Sequence, residues 1–410
     1  MSMNSAEQMG SRRSQMGFNL VELMVASAVG MLIMLAILTL YLNVSRTNEE
    51  MARTNTLVEN GRFAIRLLQN DFLHAGFWGG YVPEFDDLTN KDIPNGYPPA
   101  PPSTAADVPP LCTAYAPWSE NYKQQILSTP VQVYGDVPAD CVTANSKVAD
   151  SRYSNTGKSV SPVIVAVRHA EPCEAKAGSA TCPLNYGSDL YLQVSRCFKG
   201  TSNVSTVSLD TQPYVLSNVQ ADFSLKNLDC TTATPTTAPL RRYVSNIYYV
   251  RNYSVTPGDG LPTLVRNAFT VKGGVLEYQA AEPLVEGVED LRIELGIDDV
   301  SKSGESVDYE AAVLWANSLN KTTARNRGDG AADEFVICPN EGCTALQLAG
   351  AVSAKIHVLV RSLQPTPGYT DTKTYHLGAA TVGPFNDGFK RHVFSSYVRF
   401  NNISTRRETP

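Results

Sequence analysis

A single carboxylate, Glu22, stands at the edge of a long apolar segment, and it is the first side chain whose position suggests chemistry. Residues 23–42 contain no charged side chain. A helix of this length spans about 30 Å, the thickness of the hydrocarbon core of a bilayer. A carboxylate near the bilayer edge costs free energy and normally marks a function. Glu22 is therefore predicted to have a role beyond membrane anchoring.

Cysteine chemistry is the second possibility. All eight cysteines follow the apolar segment, and their even number favours disulfides in an oxidising compartment. They are Cys112, Cys141, Cys173, Cys182, Cys197, Cys230, Cys338 and Cys343. Close spacing favours the pairs Cys173–Cys182 and Cys338–Cys343. The pairs Cys112–Cys141 and Cys197–Cys230 are expected for the rest, although the sequence leaves the connectivity open. A zinc site at Cys338 and Cys343 is disfavoured, because no second ligand pair follows at zinc-finger spacing.

No motif for catalysis or for a cofactor is recognisable. The histidines are scattered along the sequence, and the HExxH, GxSxG, P-loop and dinucleotide-binding motifs are absent. We therefore predict that the protein is not an enzyme and uses no cofactor or metal. His357 alternates with two apolar neighbours, so its side chain is expected on the solvated face of a strand. The acidic clusters Asp298-Asp299 and residues 328–334 could bind calcium, but they lack EF-hand spacing and are expected to be solvated turns.

Length and charge limit the classes of function. The chain has 410 residues, of which 43% are hydrophobic and 18% charged, enough for a sizeable core and more than one structural unit. The net charge of -6 gives no overall reason to bind nucleic acid. No direct nucleic acid binding is predicted.

The apolar segment must be placed relative to a membrane. Arg12 and Arg13 precede it, and basic flanking residues stay on the cytoplasmic side. The N-terminus is therefore predicted to be cytoplasmic and the chain after residue 42 to be exported. The segment is longer than the apolar region of a secretory signal, and no small-residue cleavage site follows it. It is expected to be retained as a membrane helix.

The helix is predicted to continue beyond the membrane. Small and apolar residues recur every three or four positions, at Met51, Thr54, Val58, Gly61, Ile65, Leu68 and Phe72. Gly76 is expected to end the helix, which gives one helix over residues 18–75. The far end of this apolar stripe should pack against a globular head.

The rest of the chain has the pattern of a β-rich head. Strands are predicted in six segments with β-branched or alternating runs, namely 162–168, 189–197, 241–252, 285–298, 354–363 and 390–402. Residues 94–110 and 229–239 are predicted loops, and residues 311–320 could form a short helix. One long helix followed by strands indicates an α+β fold, in which the helix packs on an antiparallel β-sheet head with long, disulfide-bonded loops.

The stretch Met16-Gly17-Phe18-Asn19-Leu20-Val21-Glu22 resembles the type III signal of type IV prepilins. In that family a short polar leader ends in glycine, phenylalanine follows, and glutamate stands four positions later. The resemblance implies that prepilin peptidase cleaves between Gly17 and Phe18 and that the new amine of Phe18 is methylated. Because cleavage precedes the apolar helix, the helix is retained.

These implied events give Glu22 a physical role. The methylated amine of Phe18 keeps its positive charge, and an unpaired charge is costly inside a bundle of apolar helices. Glu22 of one subunit can pair with the Phe18 amine of a neighbour only when the axial register is correct. Glu22 is therefore expected to select the register of assembly.

Later segments resemble the PilW family of type IV pilus assembly proteins, which are large minor pilins. The resemblance rests on residues 60–79 and on the blocks from IYYVRN, which begins at Ile247, to KRHVFSSYVRFNN, which ends at Asn402. It implies a minor pilin of the tip or priming complex that initiates pilus assembly, with other minor pilins, the major pilin and a tip adhesin as partners. A J-type minor pseudopilin of type II secretion is the alternative. A membrane-tethered periplasmic enzyme or receptor is a third hypothesis.

The predicted organisation has four segments. Residues 1–17 are the leader, 18–43 the transmembrane and filament-core helix, 44–76 its amphipathic continuation, and 77–410 the head. Before assembly the protein is expected to cross the inner membrane once, with a periplasmic head. After assembly it is expected at the pilus tip on the cell surface. The sequence leaves open whether the pilus serves twitching, adhesion or DNA uptake.

Overall fold

The structure is a computed structural model that describes most of the chain. The described residues are 19–83, 104–115, 118–142, 147–153, 161–197, 210–227, 236–272, 275–309 and 311–408. The chain separates into two compact units, Met1–Thr54 and Asn55–Pro410. The second unit contains the end of the long helix and the head.

Four α-helices and sixteen strands are present in the described residues. The helices are α1 (Leu20–His74), α2 (Glu120–Ser128), α3 (Ala345–Gly350) and α4 (Asn401–Arg407). The strands are β1 (Val131–Tyr134), β2 (Ile164–Ala170), β3 (Tyr191–Val194), β4 (Tyr214–Ser217), β5 (Leu240–Arg251), β6 (Thr263–Lys272), β7 (Val275–Tyr278), β8 (Glu282–Glu286), β9 (Val288–Ile297), β10 (Trp315–Asn317), β11 (Thr322–Ala324), β12 (Glu334–Ile337), β13 (Ala351–Arg361), β14 (Tyr375–Leu377), β15 (Ala380–Val382) and β16 (Arg391–Arg399). Short 3-10 turns occupy Ala105–Asp107, Ala139–Cys141 and Gln220–Asp222.

The strands form two larger antiparallel sheets and two small hairpins. The eight-stranded sheet has the order β1-β2-β5-β3-β4, and β6 pairs with β5, β7 and β8. The four-stranded sheet has the order β12-β9-β13-β16. The hairpins are β10-β11 and β14-β15. The predicted antiparallel head is therefore present, but it is divided between two sheets instead of one.

The larger sheet is buried on both faces, which explains its continuous apolar runs. On β2, Val165 and Val167 join the core that also contains the head end of α1. Ile164 and Ala166 point to a separate core on the opposite face. A strand with water on one side would alternate apolar and polar residues. β2 has a core on each face, so apolar residues are favoured at successive positions.

The head end of α1 contributes its apolar stripe to the main core. The buried residues of the helix are Leu57, Gly61, Ala64, Ile65, Leu68, Asp71 and Phe72, so the stripe is present from residue 57 onward. Met51, at the start of the predicted stripe, is 59% exposed. The helix ends at His74, and Gly76 follows with a positive φ of 72°, as expected for a residue that terminates a helix.

Gly61 allows a close approach between α1 and the smaller sheet. A Cβ atom at this position would lie 2.1 Å from Cε2 of Phe394 in β16. We expect Gly61→Leu to lower the free energy of unfolding of the head by about 1–3 kcal/mol, because the added side chain overpacks a close contact. Leucine has a better helix propensity than glycine, so a loss would report the contact and not the helix. Urea denaturation of the full chain in detergent micelles measures the change.

A size exchange provides the control for Gly61. Phe394→Ala alone creates space, and the double variant Gly61→Leu with Phe394→Ala should recover part of the stability lost by Gly61→Leu. Equal unfolding midpoints for the wild type and Gly61→Leu would contradict the close contact.

Two predicted elements are wrong in detail. Residues 311–320 contain no helix; they contain β10, which pairs with β11. Leu314 and Leu319 are 57% and 93% exposed, so a helix here would have no apolar face to bury. The side chain of Asn317 instead accepts hydrogen bonds from the amides of Leu319 and Asn320 and closes a turn.

The predicted strand over residues 285–298 is two strands. Gly287 separates β8 from β9 with a φ of 82°, and a Cβ there would lie 2.7 Å from the carbonyl oxygen of Arg361. β8 pairs with β6 in the larger sheet, whereas β9 pairs with β12 and β13 in the smaller one. The chain therefore changes sheet at this glycine, which the apolar pattern could not indicate.

Other boundaries also differ. The last predicted strand ends at Arg399, because the chain turns into α4. Most of the predicted loop over residues 94–110 lies outside the described residues, as does most of the loop over residues 229–239.

The prediction that His357 is solvated is wrong. His357 is buried, since the turn at Gly378 covers its face of the sheet.

Candidate functional site

The N-terminal motif is described only in part. Gly17 and Phe18 lie outside the described residues. Glu22 is exposed in the first turn of α1, where its Oε2 accepts a hydrogen bond from the Asn19 amide at 3.2 Å. A carboxylate in this position satisfies a free amide and favours the start of a helix.

The segment after Glu22 is long and apolar enough to cross a membrane. Its large side chains are exposed, with Met34 at 72% and Leu40 at 64%. Exposed apolar side chains in such numbers require a lipid or protein environment. The N-terminal part of α1 is thus consistent with membrane anchoring.

A buried carboxylate joins the other end of α1 to the larger sheet. Asp71 accepts hydrogen bonds from Nε2 of His169 in β2 at 2.9 Å, Nδ2 of Asn246 at 3.0 Å and the hydroxyl of Tyr248 at 2.8 Å. Asn246 and Tyr248 belong to β5. Asp71 is only 9% exposed. The sequence analysis missed this cluster, although a carboxylate between Leu68 and Phe72 on the apolar stripe was a visible signal.

The cluster holds Asp71 and His169 as an ion pair. Burial alone would raise the pKa of Asp71, but the hydrogen bond and charge of His169 and the bonds from Asn246 and Tyr248 outweigh it and lower the pKa. Burial opposes the charged form of His169, yet the hydrogen bond and charge of Asp71 raise its pKa above the ordinary value. The histidine ring Nδ1 also lies 2.9 Å from the carbonyl oxygen of Ala170.

These shifts predict a pH-dependent contribution to stability. The raised pKa of His169 gives stability that is complete below its unfolded pKa of about 6.5 and is lost as the pH rises through its folded pKa. The lowered pKa of Asp71 gives stability that is present above its unfolded pKa of about 4 and is lost as the pH falls through its folded pKa. The difference in unfolding free energy between the wild type and Asp71→Asn should therefore be largest between about pH 4 and 6.5.

Urea denaturation across this pH range measures the difference. Asn70→Ala, which changes an exposed neighbour on the same helix turn, should differ from the wild type by an amount that does not depend on pH. A flat difference for Asp71→Asn as well would contradict the ion pair. The comparison is made between variants because other buried carboxylates also titrate in this range.

The cysteines are paired in the head. The structure contains the disulfides Cys112–Cys141, Cys173–Cys182 and Cys338–Cys343, which are pairings that the sequence favoured. Cys197 is also disulfide-bonded, and its expected partner Cys230 lies outside the described residues. The bonds close loops, which restricts the unfolded chain and suits a protein exposed to an oxidising compartment.

A second buried ionic network stabilises the smaller sheet. The guanidinium of Arg391 in β16 donates to Glu289 in β9 at 2.5 Å, to Asp371 at 2.9 Å and to Asp387 at 2.6 Å. The side chains of Arg391, Glu289 and Asp371 are almost fully buried. The network connects β9 and β16 to the segments on either side of the β14-β15 hairpin. It was not predicted, because Glu289 is about 100 residues from Arg391 in the sequence.

The acidic clusters hold backbone turns. Asp298 accepts hydrogen bonds from the amides of Asp329 and Gly330, and Asp333 accepts from the amides of Asp299 and Val300. Burial raises the pKa of Asp298 to about 6 against the opposing charge of Arg407. The two acidic clusters are thus connected to each other by these hydrogen bonds. Solvated turns were expected here, but Asp298 is buried.

Among the described residues, two groups of three side chains approach closely enough to hold a metal ion. They are Cys112, Asp140 and Cys141, and Glu171, Cys173 and Cys182. Each contains a disulfide, so the cysteines have no thiolate to offer a metal.

Two of the histidines that are far apart in the sequence are close in space. The rings of His74 and His169 lie 5.6 Å apart.

The second half of the head matches a known family. The family described as Type IV Pilus-assembly protein W matches residues 247–402, from the middle of β5 to the start of α4. The resemblance is therefore confirmed for the blocks that begin at Ile247 and end at Asn402. The match relates this part of the chain to type IV pilus assembly.

Two further comparisons add little. None of the curated proteins compared matches the chain. A solved type IV-like pilin from Thermus thermophilus is 12% identical over 59% of this chain and 78% of its own length, with a TM-score of 0.23. A TM-score this low supports no further conclusion.

Proposed function

We propose that the protein is a minor pilin, a structural subunit of the tip or priming complex that initiates assembly of a type IV pilus. The family match over residues 247–402 carries this proposal. The exposed apolar part of α1 agrees with it, because a pilin subunit must pass from lipid into a helix bundle. The role is structural, without a catalytic reaction or cofactor.

The size of the head supports the proposed position at the tip. Residues 77–410 make up most of the chain. A head of this size would be hard to repeat at every level of a thin filament, so a rare subunit fits better than the major one. The proposed partners are other minor pilins, the major pilin, a tip adhesin and, before assembly, prepilin peptidase and the inner membrane.

Processing is the chemical step of the proposal. Prepilin peptidase hydrolyses the peptide bond between Gly17 and Phe18 on the cytoplasmic side, and the amine of Phe18 is then methylated. Glu22 of the incoming subunit pairs with that amine on a neighbour. The pair compensates two charges in a low-dielectric bundle only at one axial stagger.

Mass spectrometry of purified pili tests the proposal directly. Sheared pili should contain this chain in small amount relative to the major pilin, starting at a methylated Phe18. Absence of the chain from pili, together with its presence in a secretion pseudopilus, would favour the J-type pseudopilin alternative. A chain that still carries residues 1–17 in the filament would contradict the processing step.

Glu22→Ala separates insertion from assembly. The variant should enter the membrane and be cleaved normally, but its recovery in sheared pili should fall by about ten-fold or more, since the lost charge pair is worth at least about 1.4 kcal/mol in a low-dielectric bundle. The measurement is the ratio of this chain to major pilin in sheared and membrane fractions.

Ser27→Ala is the matched control for Glu22→Ala. It removes a polar side chain from the same exposed stretch of α1, where the Ser27 hydroxyl donates only to the carbonyl oxygen of Met24. Its recovery in pili should stay near that of the wild type. Equal recovery of Glu22→Ala and Ser27→Ala would contradict the register role of Glu22.

A further inference from the structure

The smaller sheet has a long open edge at β16. This strand pairs with β13 on one side, and no strand in the described ranges pairs with the other. The pairing runs without a register shift from Ser353 opposite Arg399 to Arg361 opposite Arg391. The open edge is therefore an uninterrupted strand of nine residues.

The direction of the backbone groups follows from the hydrogen bonds just beyond the two ends of β16. The amide of Phe400 donates to the carbonyl oxygen of Val352, and the amide of Ser362 donates to that of Lys390. In an antiparallel pair, hydrogen-bonded positions alternate with positions whose backbone groups point away. Even-numbered residues of β16 therefore bond to β13. The odd-numbered residues direct their N–H and C=O groups out of the sheet.

This edge lacks the features that normally protect one. Within a strand, proteins protect an edge with proline, bulges, charged side chains or short length, and they can also cover it with a helix or loop. α1 contacts side chains of β16 but, among the residues that the structure describes, forms no backbone hydrogen bond with its odd-numbered residues. β16 has no proline, and its centre, VFSSYV over residues 393–398, has no charge. Tyr397 is 53% exposed. The other edge of the same sheet, β12, has only four residues. An unprotected edge of this length is a site for strand pairing.

α1 packs against the side chains of β16, and the side of the helix next to this contact has one exposed carboxylate, Glu59, and more positive than negative charge. Gln69 donates to the hydroxyl of Ser396 at 2.5 Å, and Gly61 lies against Phe394. Arg62 and Arg66 are on the same side of the helix, because they precede Gln69 by seven and three residues. Both are exposed, and the described part of the chain provides no ion pair for either.

We propose that β16, together with Arg62 and Arg66, binds an extended acidic segment of a partner protein by strand addition. The partner backbone would pair with the outward amides and carbonyls of Val393, Ser395 and Tyr397. Its carboxylates would face the two arginines. Backbone pairing of this kind provides affinity, and the side chains provide specificity. The open edge of β16 is a feature of the structure and does not depend on the proposed function. We identify the partner as another pilus subunit, and this identification alone rests on the proposed function.

A model peptide tests the edge on the purified full chain in detergent micelles. The probe is a fluorescent peptide of alternating glutamate and valine, as long as β16, and the comparison peptide has lysine in place of glutamate. Binding is measured by fluorescence anisotropy. The glutamate peptide should bind at least about ten-fold more tightly, since charge complementarity of about 1.4 kcal/mol gives that ratio.

Variants at Tyr397 separate the backbone from the side chain. Tyr397→Pro removes an outward amide that the sheet does not use, and proline is tolerated at such edge positions. Tyr397→Ala removes the same side chain and keeps the amide. We expect Tyr397→Pro to weaken binding of the glutamate peptide about ten-fold relative to Tyr397→Ala, while both variants unfold at the same urea concentration. The double variant Arg62→Glu with Arg66→Glu should abolish the preference for glutamate.

Each contrary result has a clear meaning. No binding of the glutamate peptide, or equal binding by Tyr397→Pro and Tyr397→Ala, would overturn strand addition. Equal binding of the two peptides would overturn the acidic partner. Self-association of the full chain that Tyr397→Pro abolishes would make a second copy the occupant and overturn the proposal. Absence of the chain from pili with peptide binding intact would reject only the proposed function.

Discussion

Replacing Asp71 with alanine is expected to lower the free energy of unfolding of the head by about 3–5 kcal/mol, because it removes one partner of a buried ion pair. The substitution leaves His169, Asn246 and Tyr248 with donors that have lost their shared acceptor. Each buried donor without a partner carries a desolvation cost. The three donors lie on β2 and β5, so the loss should loosen the contact between the end of α1 and the larger sheet.

The measurement is urea denaturation of the full chain in micelles, followed by tryptophan fluorescence. Trp78 is a suitable probe, since it is 1% exposed and its indole donates to the carbonyl oxygen of Leu127. Trp78 lies four residues after the end of α1, close to the region that the substitution affects. Trp118 and Trp315 also contribute to the fluorescence, so the signal reports unfolding of the head as a whole.

Two variants complete the series for Asp71. Asn70→Ala changes an exposed residue at the adjacent position and should cost less than about 0.5 kcal/mol, as is usual for such surface positions. Asp71→Asn keeps the shape and one acceptor oxygen, so its loss should lie between those of Asn70→Ala and Asp71→Ala. If Asp71→Ala unfolds at the same urea concentration as Asn70→Ala, the buried cluster does not contribute to stability.

The parts of the fold that could be predicted depend on local pattern. The stripe that contains Ile65, Leu68 and Phe72 has the spacing of a helix, and these residues are buried as that spacing requires. The strands rich in β-branched residues were located to within a few positions. The disulfide Cys338–Cys343 joins residues only five apart, so proximity along the chain sufficed.

The parts that could not be predicted depend on contacts between distant residues. Asp71 accepts bonds from residues about 100 and 175 positions away, and no local rule brings these together. His357 alternates as a solvated residue would, but the turn at Gly378 covers it, and its Nδ1 lies 2.8 Å from the hydroxyl of Ser395. Burial beneath a later turn lowers the pKa of His357. Alternation reports which face a side chain is on, not whether that face is covered.

The N-terminal motif is a separate case, because sequence is its main source of information. Gly17 and Phe18 lie outside the described residues. The role proposed for Glu22 involves a neighbouring subunit. The structure adds the position of Glu22 in the first turn of α1 and its bond to the Asn19 amide. The prediction for this motif must therefore be tested by processing and assembly, not by stability of the head.

If the proposed processing is correct, replacing Gly17 with leucine should block cleavage almost completely, because the resemblance to prepilins implies that glycine is required before the cleaved bond. The cell should accumulate an uncleaved chain that retains the leader, residues 1–17. Intact protein mass spectrometry of membrane fractions from cells that contain the peptidase distinguishes the two species. Ser14→Leu is the matched control, since it adds the same side chain within the leader but away from the bond.

Blocked cleavage should also prevent assembly, for a reason that involves Glu22. In the uncleaved chain the nitrogen of Phe18 is part of an amide and carries no charge, so Glu22 of a neighbouring subunit has no cation to meet. Gly17→Leu and Glu22→Ala should therefore both be lost from sheared pili, the first as an uncleaved chain and the second as a cleaved one. Recovery of uncleaved Gly17→Leu in pili at the wild-type level would show that assembly does not need the charged amine.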